Sequence, residues 1–115
     1  MNNVDSIATD KVRIRALNDR LRQTFVGGQV ALTQGVRALS AVDLSTLFKL
    51  LQSFSDFSAD NDPEEEHDFG ALRLNGETYF FKIDYYDPSL EYASADPSDP
   101  ARTARVLTLL RADEY

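Results

Sequence analysis

"FGALRLNGETYFFKIDYYD", residues 69–87, is the stretch that decides the fold. Asn75-Gly76 lies between two runs with strand-like alternation. That dipeptide tolerates the positive φ a type I′ turn needs, so the stretch reads as a hairpin with a two-residue loop. The turn then fixes the register. Leu74 opposes Glu77, and the pairing continues through Arg73 with Thr78, Ala71 with Phe80, Phe69 with Lys82, and His67 with Asp84. Side chains alternate across a strand. One face therefore collects Leu72, Leu74, Tyr79, Phe81 and Ile83, which is an apolar core face.

An apolar sheet face needs a cover, and the flanking sequence offers helices. In "TDKVRIRALNDRLRQTF", Ile14, Leu17, Leu21 and Phe25 follow Ile7 on one helical stripe. Thr9 or Asp10 is the expected cap, and Gly27-Gly28 the stop through a left-handed glycine. Asp19 is placed to pair with Arg15, worth about 0.2–0.5 kcal/mol. Arg13, Arg15, Arg20 and Arg22 fall off the stripe and read as a solvated face; the sharper alternative is a docking face for an acidic partner. "QVALT" reads as a short strand with Val30 and Leu32 facing one way. "SAVDLSTLFKLLQSF" reads as a second helix, with Ser40 and Asp43 near its start and Leu44, Leu47, Phe48 and Leu51 facing the core.

After the hairpin, "DPSLEYASADPSDPA" is a proline-punctuated loop. The tail "TARVLTLLRADEY" suits a strand or a helix; a strand preceded by one helical turn at Asp99-Pro100 is favoured. The order is helix, strand, helix, hairpin, strand. The expectation is one α+β domain over residues 1–115, with residues 1–8 as a flexible arm. It is a small antiparallel sheet with two helices packed on one face.

Composition narrows function. The chain has no cysteine, which removes disulfides, thiol catalysis and cysteine-ligated metals. That fits a reducing compartment, so a cytoplasmic location is expected. The start has no basic and apolar segments of the kind a signal peptide needs, and no apolar run is long enough to span a membrane. The net charge of −7 is uneven: residues 1–55 carry seven Lys/Arg and four Asp/Glu, residues 56–115 five and fifteen. A basic helix precedes an acidic body. Nucleic acid is thus not expected as a direct partner, while a basic protein surface is.

The acids concentrate in residues 56–68, which hold seven of them and the only histidine. An EF-hand is excluded, because a loop starting at Asp60 has Glu65 where glycine is required and Ala71 where the last acid should be. A different cation site from Asp60, Asp62 and Glu64 stays open. A zinc or iron site from His67, Asp68 and Asp84 lacks a second histidine, and adjacent strand residues point to opposite faces. An acid–base centre from His67 and Asp84, with Lys82 on the same face, is a further alternative. No nucleophile or phosphate-loop motif accompanies it, and a cross-strand charge pair alone contributes about 0.2–1 kcal/mol to a sheet. Tyr79 and Tyr85 belong to the inward face. Tyr86 and Tyr92 are freer, and tyrosine beside acids suits protein recognition.

"RIRALNDRLRQTFVGGQVALTQGV", "DNDPEEEHDFGAL" and the run from "FFKIDYYD" onward resemble, taken together, a bacterial family of small proteins, domain-of-unknown-function family 3768, over about residues 14–115. The segments "LNDRLR", "DNDP", "EHDFG" and "KIDYYD" occur in that order. The resemblance implies a shared surface at Asp60, Asn61, Asp62, Pro63, Glu66, His67, Asp68, Phe69 and Gly70, together with Lys82, Ile83, Asp84, Tyr85, Tyr86 and Asp87. It implies no activity, since the family has none assigned. Its setting in plasmid- and phage-rich genomes implies accessory or counter-defence roles by association alone. The run Glu64-Glu65-Glu66 is denser in acid than the family pattern.

The leading expectation is a non-enzymatic module, without cofactor, that binds a basic protein surface. Its binding surface would comprise Asp60, Asp62, Glu64, Glu65, Glu66, His67, Asp68, Tyr86, Asp87 and Tyr92. The alternative is a small metal-dependent or acid–base enzyme centred on His67 and Asp84.

Overall fold

The computed structural model describes residues 3–115 and, in its first helix, the side chains from Thr9 onward. The arm expected over residues 1–8 lies partly outside the described residues, as does the place of Ile7 on the stripe. Helix α1 spans Asn3–Thr24, strand β1 Gln29–Leu32, a single-turn helix α2 Gln34–Arg37 and helix α3 Ala41–Gln52. Strands β2 (Phe69–Leu74), β3 (Glu77–Tyr86) and β4 (Ala104–Arg111) follow, with 3-10 turns at Pro100–Arg102 and Ala112–Glu114.

The hairpin forms in the expected register, from Leu74 opposite Glu77 out to Phe69 opposite Lys82. Asn75 and Gly76 have φ of 53° and 80°, as a type I′ turn requires. Leu72, Leu74, Tyr79, Phe81 and Ile83 are all buried. On the opposite face Arg73 donates to Thr78 Oγ1 at 2.8 Å. The tail is a strand, and Asp99 caps the turn before it by accepting from Ala101 N at 2.9 Å.

The sheet order is β1-β4-β3-β2, so the C-terminal strand is central. The sheet is mostly antiparallel, but β1 runs parallel to β4, with Val30 beside Leu107 and Leu32 beside Leu109. That parallel edge departs from the all-antiparallel expectation. Periodicity shows which residues of β1 face inward and says nothing about which strand it meets. The inward residues join Leu21 of α1, Val36 of α2, and Leu47 and Leu51 of α3 in one core.

Local signals place the helices with some corrections. Ser40 caps α3 by accepting from Asp43 N at 3.1 Å. Helix α1 is already helical at Asn3, ahead of the cap expected at Thr9 or Asp10. Its left-handed terminating residue is Phe25, φ 61°, in place of a glycine. Gly28 is needed for a different reason: a Cβ there would meet the backbone oxygen of Arg105 and the side chain of Leu21. Helix α2 is too short to show a period and was not expected.

Residues 53–68 form a strap from α3 across to β2. Phe54 packs on Phe81 with ring centroids 5.2 Å apart, and Phe57 packs edge-on to Phe54 at 4.8 Å. These two rings tie the strap to the core and carry it past α1. Among the described residues no helix is long and apolar enough to cross a membrane.

Candidate functional site

The strap ends in two left-handed residues that are not glycine, Glu65 at φ 58° and His67 at φ 56°. Such a conformation needs support from its surroundings, and Asp62 supplies it. This residue is 5 % exposed, and its Oδ1 accepts from the backbone N–H of both Glu66 and His67 at 3.1 Å. Asn61 braces the preceding turn, accepting from Ser58 N at 2.9 Å and donating to the carbonyl of Asp56 at 2.8 Å.

This backbone turn moves His67 off the hairpin. The β2–β3 ladder stops at Phe69 with Lys82, so the expected His67–Asp84 pair does not form. Asp84 instead accepts from Lys82 Nζ at 3.0 Å on the outer face of the sheet, and Asp84 holds the Lys82 ammonium pKa above its usual value. His67 turns toward α1. Its Nδ1 stands 2.8 Å from Asp19 Oδ1, its Nε2 3.7 Å from Asp62 Oδ2, and its ring stacks flat on Phe57 with centroids 3.8 Å apart. An acid–base centre built on His67 and Asp84 therefore has no geometry here.

Asp19 also pairs with Arg22 at 2.9 Å, in place of the expected Arg15. Arg22 itself is 2 % exposed and not on a solvated face. Its Cζ lies 5.2 Å from the centroid of Phe57. Arg15 reaches the carbonyl of Glu65 at 3.5 Å. Two open clefts, of about 350 and 440 Å³, meet at Phe57 and His67.

Beneath the strap lies a buried polar cluster that sequence reasoning missed. Asn18 and Arg105 occupy inward positions on α1 and β4 and are almost fully buried. Asn18 donates to the carbonyl of Glu66 at 2.9 Å and to the Tyr85 hydroxyl at 2.7 Å, and accepts from Arg105 Nε at 2.6 Å. Tyr85 in turn donates to Glu66 Oε1 at 2.8 Å. Arg105 also donates to the carbonyl of Pro97, and its Cζ lies 5.1 Å over the Tyr85 ring. Burial pushes the Tyr85 hydroxyl pKa far up, with its bond to Glu66 acting the same way, and burial pulls Arg105 down. The one sequence signal was a polar residue on the stripe of α1: Asn18 follows Leu17 on the face that Ile14 and Leu21 bury.

The expected binding residues thus divide. Asp60, Glu64 and Glu65 are exposed, whereas Asp62 is buried and Glu66 is half-buried against Tyr85. Asp68 is half-buried; burial and the neighbouring Glu66 raise its carboxyl pKa. Its carbonyl accepts from Ile83 N at 2.8 Å. Asp87 organises the next loop by accepting from Ser89 Oγ at 2.7 Å and from the N–H of Glu91 and Tyr92, which lowers its pKa. That loop returns along β3, with Tyr86 bridged to Ala93. Since β4 occupies the other side of β3, Ala93 sits on the strap side, next after Asp68. The two loops are neighbours, and Tyr92 is 70 % exposed on the second. Tyr86 is half-buried on the outer sheet face. The cation site considered at Asp60, Asp62 and Glu64 does not assemble: Asp62 is directed at backbone N–H groups, and among the described residues no three His, Asp or Glu side chains stand together as ligands.

Fold and site define a small α+β protein in which a strap, latched by a buried polar cluster, presents an acidic loop. Residues 32–114 match the family described as "Protein of unknown function (DUF3768)", and the chain belongs to that family. The match begins within β1, so Asn18, the α1 member of the cluster, precedes it, as do Asp19 and Arg22 beside His67 and the segment "LNDRLR". No curated protein and no solved structure matches the chain.

Proposed function

We propose that this protein is a non-enzymatic binding module that offers a rigid acidic loop to a basic surface on a protein partner. The observation that carries this reading is the contrast within residues 58–67. Asp60, Glu64 and Glu65 face solvent, while the backbone that holds them is fixed by Asn61, Asp62, Asn18 and Arg15. A loop ordered in advance loses little freedom on binding, which favours affinity. Exposed carboxylates on such a loop speed encounter with a basic partner and fix its register. Tyr92 and Leu90, exposed on the neighbouring loop, supply the apolar contact that charge alone lacks.

A nucleic-acid-processing protein fits this chemistry, because its groove already accepts a line of negative charge. Occupying that groove would make the module an inhibitor, in keeping with an accessory or counter-defence role. The test is affinity capture at low and high salt with the wild type and with the triple variant D60N/E64Q/E65Q. A basic protein retained by the wild type, released by salt and lost with the triple variant is the expected result. Equal capture by the triple variant, or capture indifferent to salt, sinks the reading.

A further inference from the structure

The larger cleft beside His67 adjoins the end of the acidic loop but is lined by none of Asp60, Glu64 and Glu65. It is bounded by the C-terminal half of α1, the end of α3 and the start of the strap, and holds about 440 Å³. That is within the range of small-molecule sites, about 300–1,000 Å³. Arg22 lines it, although Arg22 is 2 % exposed. Its Nη1 donates to Asp19 Oδ1 at 2.9 Å, and Nε is buried with no partner. No other hydrogen bond of Arg22 exists among the described residues.

A guanidinium carries five donors in a planar fork. With Nη1 occupied by Asp19, the side-on edge formed by Nε and Nη2 has no protein partner, although Nε is closed off from solvent until a side chain over it shifts. That edge matches a carboxylate, which accepts two parallel bonds from it. Leaving a buried charged donor unpaired is costly, and a bound water, ion or ligand is one way to satisfy it. Asp19 meets Arg22 through Nη1 alone, its Oδ1 being shared with His67. The remaining polar wall is Gln23, Gln52, Ser53, Ser55 and the His67 ring. Gln52 donates through Nε2 to the carbonyl of Gln23 at 3.2 Å, so its Oε1 remains free to accept.

We propose that this cleft binds a small polar organic acid. The carboxylate sits on the Nε–Nη2 edge of Arg22, and a hydroxyl or amide of the ligand donates to Gln52. The site uses none of Asp60, Glu64 and Glu65, so either proposal can fail without the other.

The test follows the arginine Nε–Hε resonances of the full chain by NMR during titration with acetate, malate, citrate and glutamate at constant ionic strength. The Arg22 resonance is assigned by its loss in Arg22→Lys. The expected result is a saturable displacement of that resonance by at least one of the acids. The corresponding amide and sodium chloride should leave it in place, and Gln52→Leu should weaken binding about tenfold, as loss of one hydrogen bond would. If Arg22→Lys does not fold, the resonance is assigned through its backbone and Gln52→Leu still reports on the wall. A resonance unmoved by all four acids overturns the proposal, as does equal displacement by chloride. Displacement by a blocked glutamyl peptide alone also overturns it, by assigning the edge to a protein side chain.

Discussion

Asn18 uses both amide hydrogens and its oxygen inside the protein, on Glu66, Tyr85 and Arg105. Truncating it would leave Arg105 Nε and the Glu66 carbonyl without partners and take one of the two partners of the buried Tyr85 hydroxyl. Asn18→Ala should therefore lower unfolding stability by at least about 2 kcal/mol, read from urea midpoints; a loss below about half that would show that water replaces the amide. Asp68 carries a prediction of opposite sign. Its folded pKa is raised by burial, so the folded state holds the proton more tightly than the unfolded chain. The stability this provides is present at low pH and is lost as pH rises through the folded value. Asp68→Asn should thus raise the melting temperature near neutral pH and leave it unchanged at about pH 3. A drop at neutral pH would contradict the assignment. Beyond a polar residue on the α1 stripe, the role of Asn18 was not legible in the sequence, because its partners come from different elements. His67 illustrates the limit: extrapolating the hairpin register gave Asp84, and only the left-handed turn held by Asp62 reveals Asp19.

Elements whose signals are local were read well. The Asn75-Gly76 turn, the Ser40 cap and the Asp99-Pro100 turn each act within four residues, so the sequence contains the whole interaction. The parallel edge β1 was not legible as such, since its partner lies more than seventy residues away. Part of what holds that edge is Glu114, whose carboxylate accepts from Thr33 Oγ1 at 2.7 Å, Gly35 N at 2.8 Å and Arg111 N at 2.9 Å. Those donors, the Thr33 hydroxyl first, hold its pKa below the ordinary range. The stability involved is present above the unfolded pKa and is lost as pH falls through the folded value. Glu114→Gln should speed amide exchange across residues 29–32 at neutral pH and change it little in acid. Unchanged exchange at neutral pH would mean that the core residues Val30 and Leu32 hold the edge unaided.

At the scale of the whole molecule, the sheet order makes β4 the keystone between β1 and the hairpin. It also brings in Arg105, which joins α1 at Asn18 to the loop before β4 at Pro97. Removing residues 104–115 should abolish cooperative unfolding altogether, checked by circular dichroism across a thermal scan; a truncated chain that still melts cooperatively would place the stabilising unit elsewhere. The order of these strands also has a meaning in time. A ribosome makes the central strand last of the four, so a nascent chain that has emerged through β3 can close its hairpin but cannot join it to β1. Leu21, Leu47 and Phe81 then wait with their shared core unfinished. Such a chain is an expected client of chaperones at the tunnel exit until its final strand appears, and its compaction should come late, in one step.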